Sequence, residues 1–188
     1  FFKEVISMNR KTKNITTLAM LCALAYAAAA AGRVPLVLFL KYDPKDIVIA
    51  AGGLLFGPLA SFTTALIVSF AEMFTISDTG VLGFVMNVVS SCSFACTAAW
   101  IYKKKRTFPG AVTGLLCGWL CMVFVMLCWN YFIAPIYMGY PREAVAELLI
   151  SAFLPFNLIK GGLNAGIAMI LYKPAVSAFR HAHLDKTT

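Results

Sequence analysis

The residues best placed to do chemistry in this chain are a few polar side chains set inside long apolar runs. Asn157, Lys160 and Asn164 fall within Phe156-Asn157-Leu158-Ile159-Lys160-Gly161-Gly162-Leu163-Asn164. Their i, i+3, i+7 spacing puts all three on one helical face. Lys160 lies more than a turn inside its apolar run, where a lysine costs about 2.5–3.5 kcal/mol on insertion scales. Such a lysine faces protein, water or ligand, unless it snorkels to the interface or pairs with Glu72. Asn164 reads best as an interhelical hydrogen bond, common glue between apolar helices. Asn130 sits in Trp129-Asn130-Tyr131-Phe132, ahead of Pro135. That segment is either an aromatic interface belt with one polar cap, or a pocket with aromatic walls and a few convergent amides, the usual make-up of a small-molecule site. Glu72 and Asn87 read as a hydrogen-bonded structural pair or as further pocket residues, and the structural reading is preferred.

Signatures of covalent chemistry are missing. No histidine falls within an apolar run, and neither a Walker-type phosphate loop nor a nucleophile elbow is present. His181 and His183 belong to a charged tail. The cysteines (Cys22, Cys92, Cys96, Cys117, Cys121 and Cys128) all fall inside apolar runs. Cys92/Cys96 and Cys117/Cys121 have i, i+4 spacing, yet no histidine accompanies them. Small apolar packing is the reading that fits, with no metal site. The chain is read as a non-enzyme without a cofactor, one that could be energised only by partners or by an ion gradient.

The elements that position these residues are membrane helices. The 188 residues are 61% hydrophobic and only 13% charged, with a mean hydropathy of +0.82. Soluble domains average about 45–50% apolar and about 25% charged residues. A soluble enzyme, a disordered chain and a nucleic-acid binder are thereby excluded, despite a net charge of +8. Six runs approach the roughly 20 residues of a spanning helix: Asn14–Leu40, Ile47–Phe56, Leu59–Ile76, Val81–Tyr102, Pro109–Tyr137 and Ala144–Tyr172. The second is short. Lys41-Tyr42-Asp43-Pro44-Lys45-Asp46 reads as a polar turn after the first run, and Lys173-Pro174 as the end of the last.

With both termini cytoplasmic, eleven Lys and Arg fall inside and four outside (Arg33, Lys41, Lys45 and Arg142). That asymmetry fixes the expected orientation. Asp43, Asp46, Asp78, Glu143 and Glu147 lean outward. The expected organisation is a cytoplasmic segment over 1–13, a six-helix domain over 14–174, and a cytoplasmic tail over 175–188. Phe1 to Arg10 does not read as a cleavable signal peptide.

Two stripes of small residues complete the pattern. Ala19, Ala23, Ala27 and Ala31 recur every fourth residue, and Gly110, Gly114 and Gly118 form a tandem GxxxG. Both permit close helix approach. The glycine stripe reads as internal packing, and the alanine stripe as the better candidate for a partner protein.

Together these features resemble the substrate-binding S component of energy-coupling factor (ECF) vitamin transporters, most closely the riboflavin-specific branch. The resemblance spans about Asn14 to Pro174. It rests on the alanine-spaced first helix, on Tyr42-Asp43-Pro44-Lys45-Asp46-Ile47 followed by Gly52-Gly53-Leu54-Leu55-Phe56-Gly57-Pro58, on Asn130 ahead of Pro135, and on Pro155-Phe156-Asn157-Leu158-Ile159-Lys160-Gly161. It implies an all-α bundle of six transmembrane helices in the cell membrane. Its pocket opens outward under the loop after the first helix. It also implies substrate contacts from Asn130, Asn157 and Lys160, with Tyr42 and Asp43 as further substrate-binding candidates. Ala19, Ala23 and Ala27 would dock on a transmembrane coupling subunit that carries two cytoplasmic ATPases, and the S component would topple in the membrane to deliver its vitamin. Ser69-Phe70-Ala71-Glu72-Met73 and Ser77-Asp78-Thr79-Gly80 carry no ligand role in this pattern.

The chemistry suits riboflavin, here a transported ligand. The isoalloxazine edge offers carbonyl acceptors beside an N–H donor, and an amide side chain complements both. Lysine donates to a carbonyl or ring nitrogen. Trp129, Tyr131, Phe153 and Phe156 are candidates to pack on the ring faces. The alternatives are an S component for another vitamin, or a self-contained transporter coupled to protons through Glu72 and Lys160.

Overall fold

The computed structural model describes residues 10–37, 40–77 and 79–184. The readings made for residues 1–9, for Asp78 and for the last four residues lie outside that range. Among the described residues the helices group into six rods. They are α1 (Arg10–Gly32), α2 (Lys45–Phe56), α3 (Pro58–Thr75), α4 (Gly80–Ser91) continuing into α5 (Thr97–Lys104), α6 (Phe108–Met138), and α7 (Arg142–Leu148) continuing into α8 (Leu154–Leu184). Single π-helical turns, Cys92–Cys96 and Leu149–Phe153, join the two split rods. Five rods are long and apolar enough to cross a membrane. With 12 residues, α2 rises only about 18 Å, short of the roughly 30 Å hydrocarbon core. This is an integral membrane protein.

The structure corrects the sequence reading at three places. The first apolar run is helical only to Gly32. A two-stranded antiparallel hairpin follows, β1 (Val34–Val37) with β2 (Leu40–Tyr42), in which Val34 faces Tyr42 and Pro35 faces Lys41. The helix ends where Pro35 cannot donate a backbone hydrogen bond and disfavours a helical residue before it. A side chain at Gly32 would also meet the Pro44 ring at 2.5 Å. Second, the polar turn is shorter than its residues suggest, because Lys45 already opens α2, and Asp43, Lys45 and Asp46 are buried. Third, the last helix continues through Lys173-Pro174 to Leu184. A proline there removes one backbone donor, and the helix tolerates it, as α6 tolerates Pro135.

The core is closed by backbone proximity as much as by large side chains. A Cβ on Gly114 would lie 2.7 Å from the Ala98 carbonyl, and one on Gly118 2.4 Å from that of Phe94. The glycine stripe therefore packs inside, against the split rod. At Gly161 a side chain would strike the Trp119 ring at 2.2 Å, so α8 lies tightly on α6. At Gly57 a positive φ of 99° turns the chain between α2 and α3, a conformation glycine adopts at little cost. Buried Ile49, Val68, Phe94, Leu115 and Met122 fill the space between the rods.

Candidate functional site

A cavity of about 170 Å³ opens at the hairpin end of the bundle. The hairpin and its flanks supply Arg33, Lys41 and Asp43 to its wall, and the α3–α4 turn supplies Ser77 and Thr79. From α6 come Met126, Trp129 and Asn130, and from α8 Phe156, Asn157 and Lys160. Leu82, Gly83, Met86, Asn87 and Ser90 line the side formed by α4.

Asn130, Asn157 and Lys160 thus meet at one cavity, although the first is far from the others in sequence. Each asparagine donates its amide to the carbonyl four residues back: Asn130 to Met126 at 2.8 Å, and Asn157 to Phe153 at 2.8 Å. That anchors the side chains and leaves their carbonyl oxygens without a hydrogen-bond donor among the described residues. Lys160 is nearly buried and lies 3.3 Å from Asp46. Asp46 also accepts from Ser91 and, at 3.4 Å, from Asn164. Asn164 in turn accepts from the Tyr42 hydroxyl at 2.9 Å, so it joins α8 to both the hairpin and α2.

A second charged cluster sits beside the first. Lys45 pairs with Glu72 and lies 3.2 Å from Asp43. Arg33 donates to the Ile76 carbonyl at 3.0 Å and lies 3.5 Å from Asp43 and 3.6 Å from Glu72. Asn87 donates to Glu72 at 3.2 Å, the structural pair read from the sequence, while it also lines the cavity. Glu72 and Lys160 belong to separate ion pairs, and neither is the other's partner. Buried charges persist only when paired. These pairs fix the hairpin and α2 against α3 and α8.

The remaining candidates are distributed as follows. Asp43 lines the cavity, whereas Tyr42 is not among the lining residues and its hydroxyl serves Asn164. Of the four aromatics, Trp129 and Phe156 line the cavity. Phe153 is fully buried against Ala134 and Val145, and Tyr131 is exposed with its ring edge-on to Phe132. Ala19, Ala23 and Ala27 are exposed on α1, while Ala25 and Ala29 between and beyond them are buried.

Sequence reasoning missed Arg33, Ser77, Thr79 and most of the α4 wall. The available signal was periodicity: positions 79, 82, 83, 86, 87 and 90 recur at three- and four-residue steps. Their small, apolar and hydroxyl side chains are equally at home facing lipid or a neighbouring helix, so the pattern stood out only once the cavity was seen.

The architecture and the sequence have known counterparts. A solved chain described as the S component of a bacterial ECF transporter superposes with a TM-score of 0.78 at 26% identity, covering 90% of this chain and 99% of that one. The "Riboflavin transporter RibU" of Staphylococcus aureus (strain TCH60) is 29% identical over 174 residues, 87% of this chain and 90% of the relative. The "Riboflavin transporter FmnP" of Bacillus subtilis (strain 168) is 28% identical over 158 residues, 78% of this chain and 83% of the relative. The family described as "ECF transporter, substrate-specific component" matches residues 13–172, nearly the whole helical bundle, and the chain belongs to that family.

Proposed function

We propose that this chain binds riboflavin with high affinity and takes it up as the substrate-specific subunit of an ATP-driven ECF importer. One observation carries the reading: the rings of Trp129 and Phe156, the amides of Asn130 and Asn157 and the ammonium-bearing Lys160 converge on a single cavity inside a membrane bundle. Asn130 and Asn157 can complement the alternating acceptors and donor of the isoalloxazine edge, and Lys160 can donate to a ring carbonyl. Trp129 and Phe156 offer surfaces for the ring faces. Asp43 can accept from a ribityl hydroxyl at the hairpin side, and Tyr42 acts through Asn164 by fixing α8. Two relatives that carry riboflavin in their names support the ligand class. The chain performs no covalent chemistry in this reading. Its termini face the cytoplasm, as the basic residues argue, and a transmembrane coupling subunit with two ATPases supplies the energy.

Purified from cells grown with riboflavin, the protein should be yellow and release flavin identifiable by mass spectrometry. After ligand removal it should quench riboflavin fluorescence at one-to-one stoichiometry. A colourless protein that quenches no added riboflavin defeats the reading.

The exposed alanines supply the docking surface for the coupling subunit. Helix association in lipid depends on close backbone approach, and Ala27 is exposed on α1. Ala27→Trp should therefore abolish pull-down of the coupling subunit and ATP-dependent uptake, with riboflavin affinity and melting temperature unchanged. Were these alanines core residues, tryptophan would overpack the bundle and all three measurements would fall together.

A further inference from the structure

We propose that Ser90, on the α4 wall, is a further ligand-binding residue, donating its hydroxyl to the ring edge that Lys160 also serves. This rests on the riboflavin reading above. Gly83, Met86, Asn87 and Ser90 line the cavity at i, i+3, i+4 and i+7, a continuous helical face. Its two polar members differ in their commitments. Asn87 is held by Glu72. Ser90 is 3% exposed, and its Oγ has no hydrogen-bond partner among the described residues.

A buried helical serine has an easy local solution, which is donation to the carbonyl four residues back. Ser93 takes it with Val89 at 2.6 Å, and Ser151 with Glu147 at 2.8 Å. Thr63, Thr75 and Thr113 do the same. Ser90 does not. Buried hydroxyls are almost always paired, and leaving one unpaired is costly. Thr64 and Ser69 of α3 are also unpartnered, but neither lines the cavity. Of these three Ser90 alone lines the cavity, where a χ1 rotation turns its buried hydroxyl toward a bound molecule.

The neighbouring residue fixes which part of the ligand it meets. Ser91 donates to Asp46, which lies 3.3 Å from the Lys160 ammonium. Asp46 thereby ties α4 at Ser91 to α8 at Lys160, and Ser90, the next residue along α4, lines the same cavity as Lys160. A ligand carbonyl held by Lys160 is the acceptor that Ser90 meets there.

The test compares Ser90→Ala with wild type by flavin-quenching titration, using riboflavin and the ring-only analogue lumiflavin, together with melting of the ligand-free proteins. Ser90→Ala should bind both flavins five- to twentyfold more weakly. Its ligand-free melting temperature should be unchanged or higher, because an unpaired buried hydroxyl has been removed. Unchanged affinity for both flavins overturns the proposal. A loss confined to riboflavin, or a wild type that ignores lumiflavin, overturns the ring-edge assignment and with it the proposal. A lower ligand-free melting temperature marks the hydroxyl as structural and also overturns it. If wild type binds neither flavin, the riboflavin reading itself falls, and this assignment with it.

Discussion

Lys160→Met will weaken riboflavin binding ten- to a hundredfold and will also lower the melting temperature of the ligand-free protein. Adding Asp46→Asn will restore most of the melting temperature and none of the affinity. The two effects separate because Lys160 serves two partners. Toward the ligand it offers a charged donor, and hydrogen bonds to charged groups contribute about 1.5–3 kcal/mol, roughly one to two decades of affinity. Toward the protein it neutralises Asp46, which is fully buried and 3.3 Å away. Without the lysine that carboxylate keeps, among the described residues, only the neutral donors of Ser91 and Asn164, and stranding a buried charge costs about 3–5 kcal/mol. An amide at position 46 removes the stranded charge and keeps one acceptor for Ser91, giving up only the longer 3.4 Å contact with Asn164. Asn157→Leu is the contrasting case. Among the described residues its side chain makes a single hydrogen bond, to the carbonyl of Phe153 in the turn just before α8, so affinity should fall at least tenfold with little thermal change. Fluorescence titration and thermal melts in the same detergent decide the matter. Full affinity in Lys160→Met would remove it from the site.

Part of this site is legible from sequence, for one physical reason. Lipid penalises polar groups, so Asn130, Asn157 and Lys160 stand out inside apolar runs without any knowledge of the fold. The helices are legible on the same ground, since bilayer thickness dictates their length. What is lost is whatever depends on a partner far away in the chain. Lys45 and Asp46 read as part of a polar turn because their partners, Glu72 on α3 and Lys160 on α8, are invisible to any local window. Tyr42 reads as a ligand contact by resemblance, yet its hydroxyl is committed to Asn164. The hairpin is hidden differently. The sequence over 34–40 is apolar enough to extend the first helix on paper, and only the stop at Gly32 and Pro35 betrays the change of structure. The α4 wall is hidden because Gly83, Met86 and Ser90 are ordinary residues of a membrane helix, and nothing in their types says whether they face lipid or a cavity.

Lys45→Met should be the most damaging single substitution to stability, and Lys45→Met with Glu72→Leu should recover most of the loss. Lys45 and Glu72 are each fully buried. The lysine is shared between Glu72 and Asp43, while Arg33 stands at 3.5 and 3.6 Å from the same two carboxylates. Two cations and two anions balance. Removing Lys45 leaves two buried carboxylates to one guanidinium, and breaking a buried pair from one side costs about 3–5 kcal/mol. For a chain of this size each kcal/mol is worth about 2–4 °C, so the melting temperature should fall by about 10 °C. Removing Glu72 as well leaves Arg33 facing Asp43 alone, a balanced pair, and exchanges two buried charges for apolar volume. Such exchanges are often neutral or stabilising. The hairpin is where the damage should appear first, because Arg33 and Asp43 flank it and Lys45 anchors the helix that follows. Hydrogen exchange of the amides in β1 and β2 should therefore accelerate in Lys45→Met and slow again in the double variant. An unchanged melting temperature in the single variant would mean that Arg33 alone suffices to neutralise both carboxylates. A double variant no more stable than the single one would mean that the Glu72 carboxylate contributes through Asn87 and Arg33 rather than through Lys45.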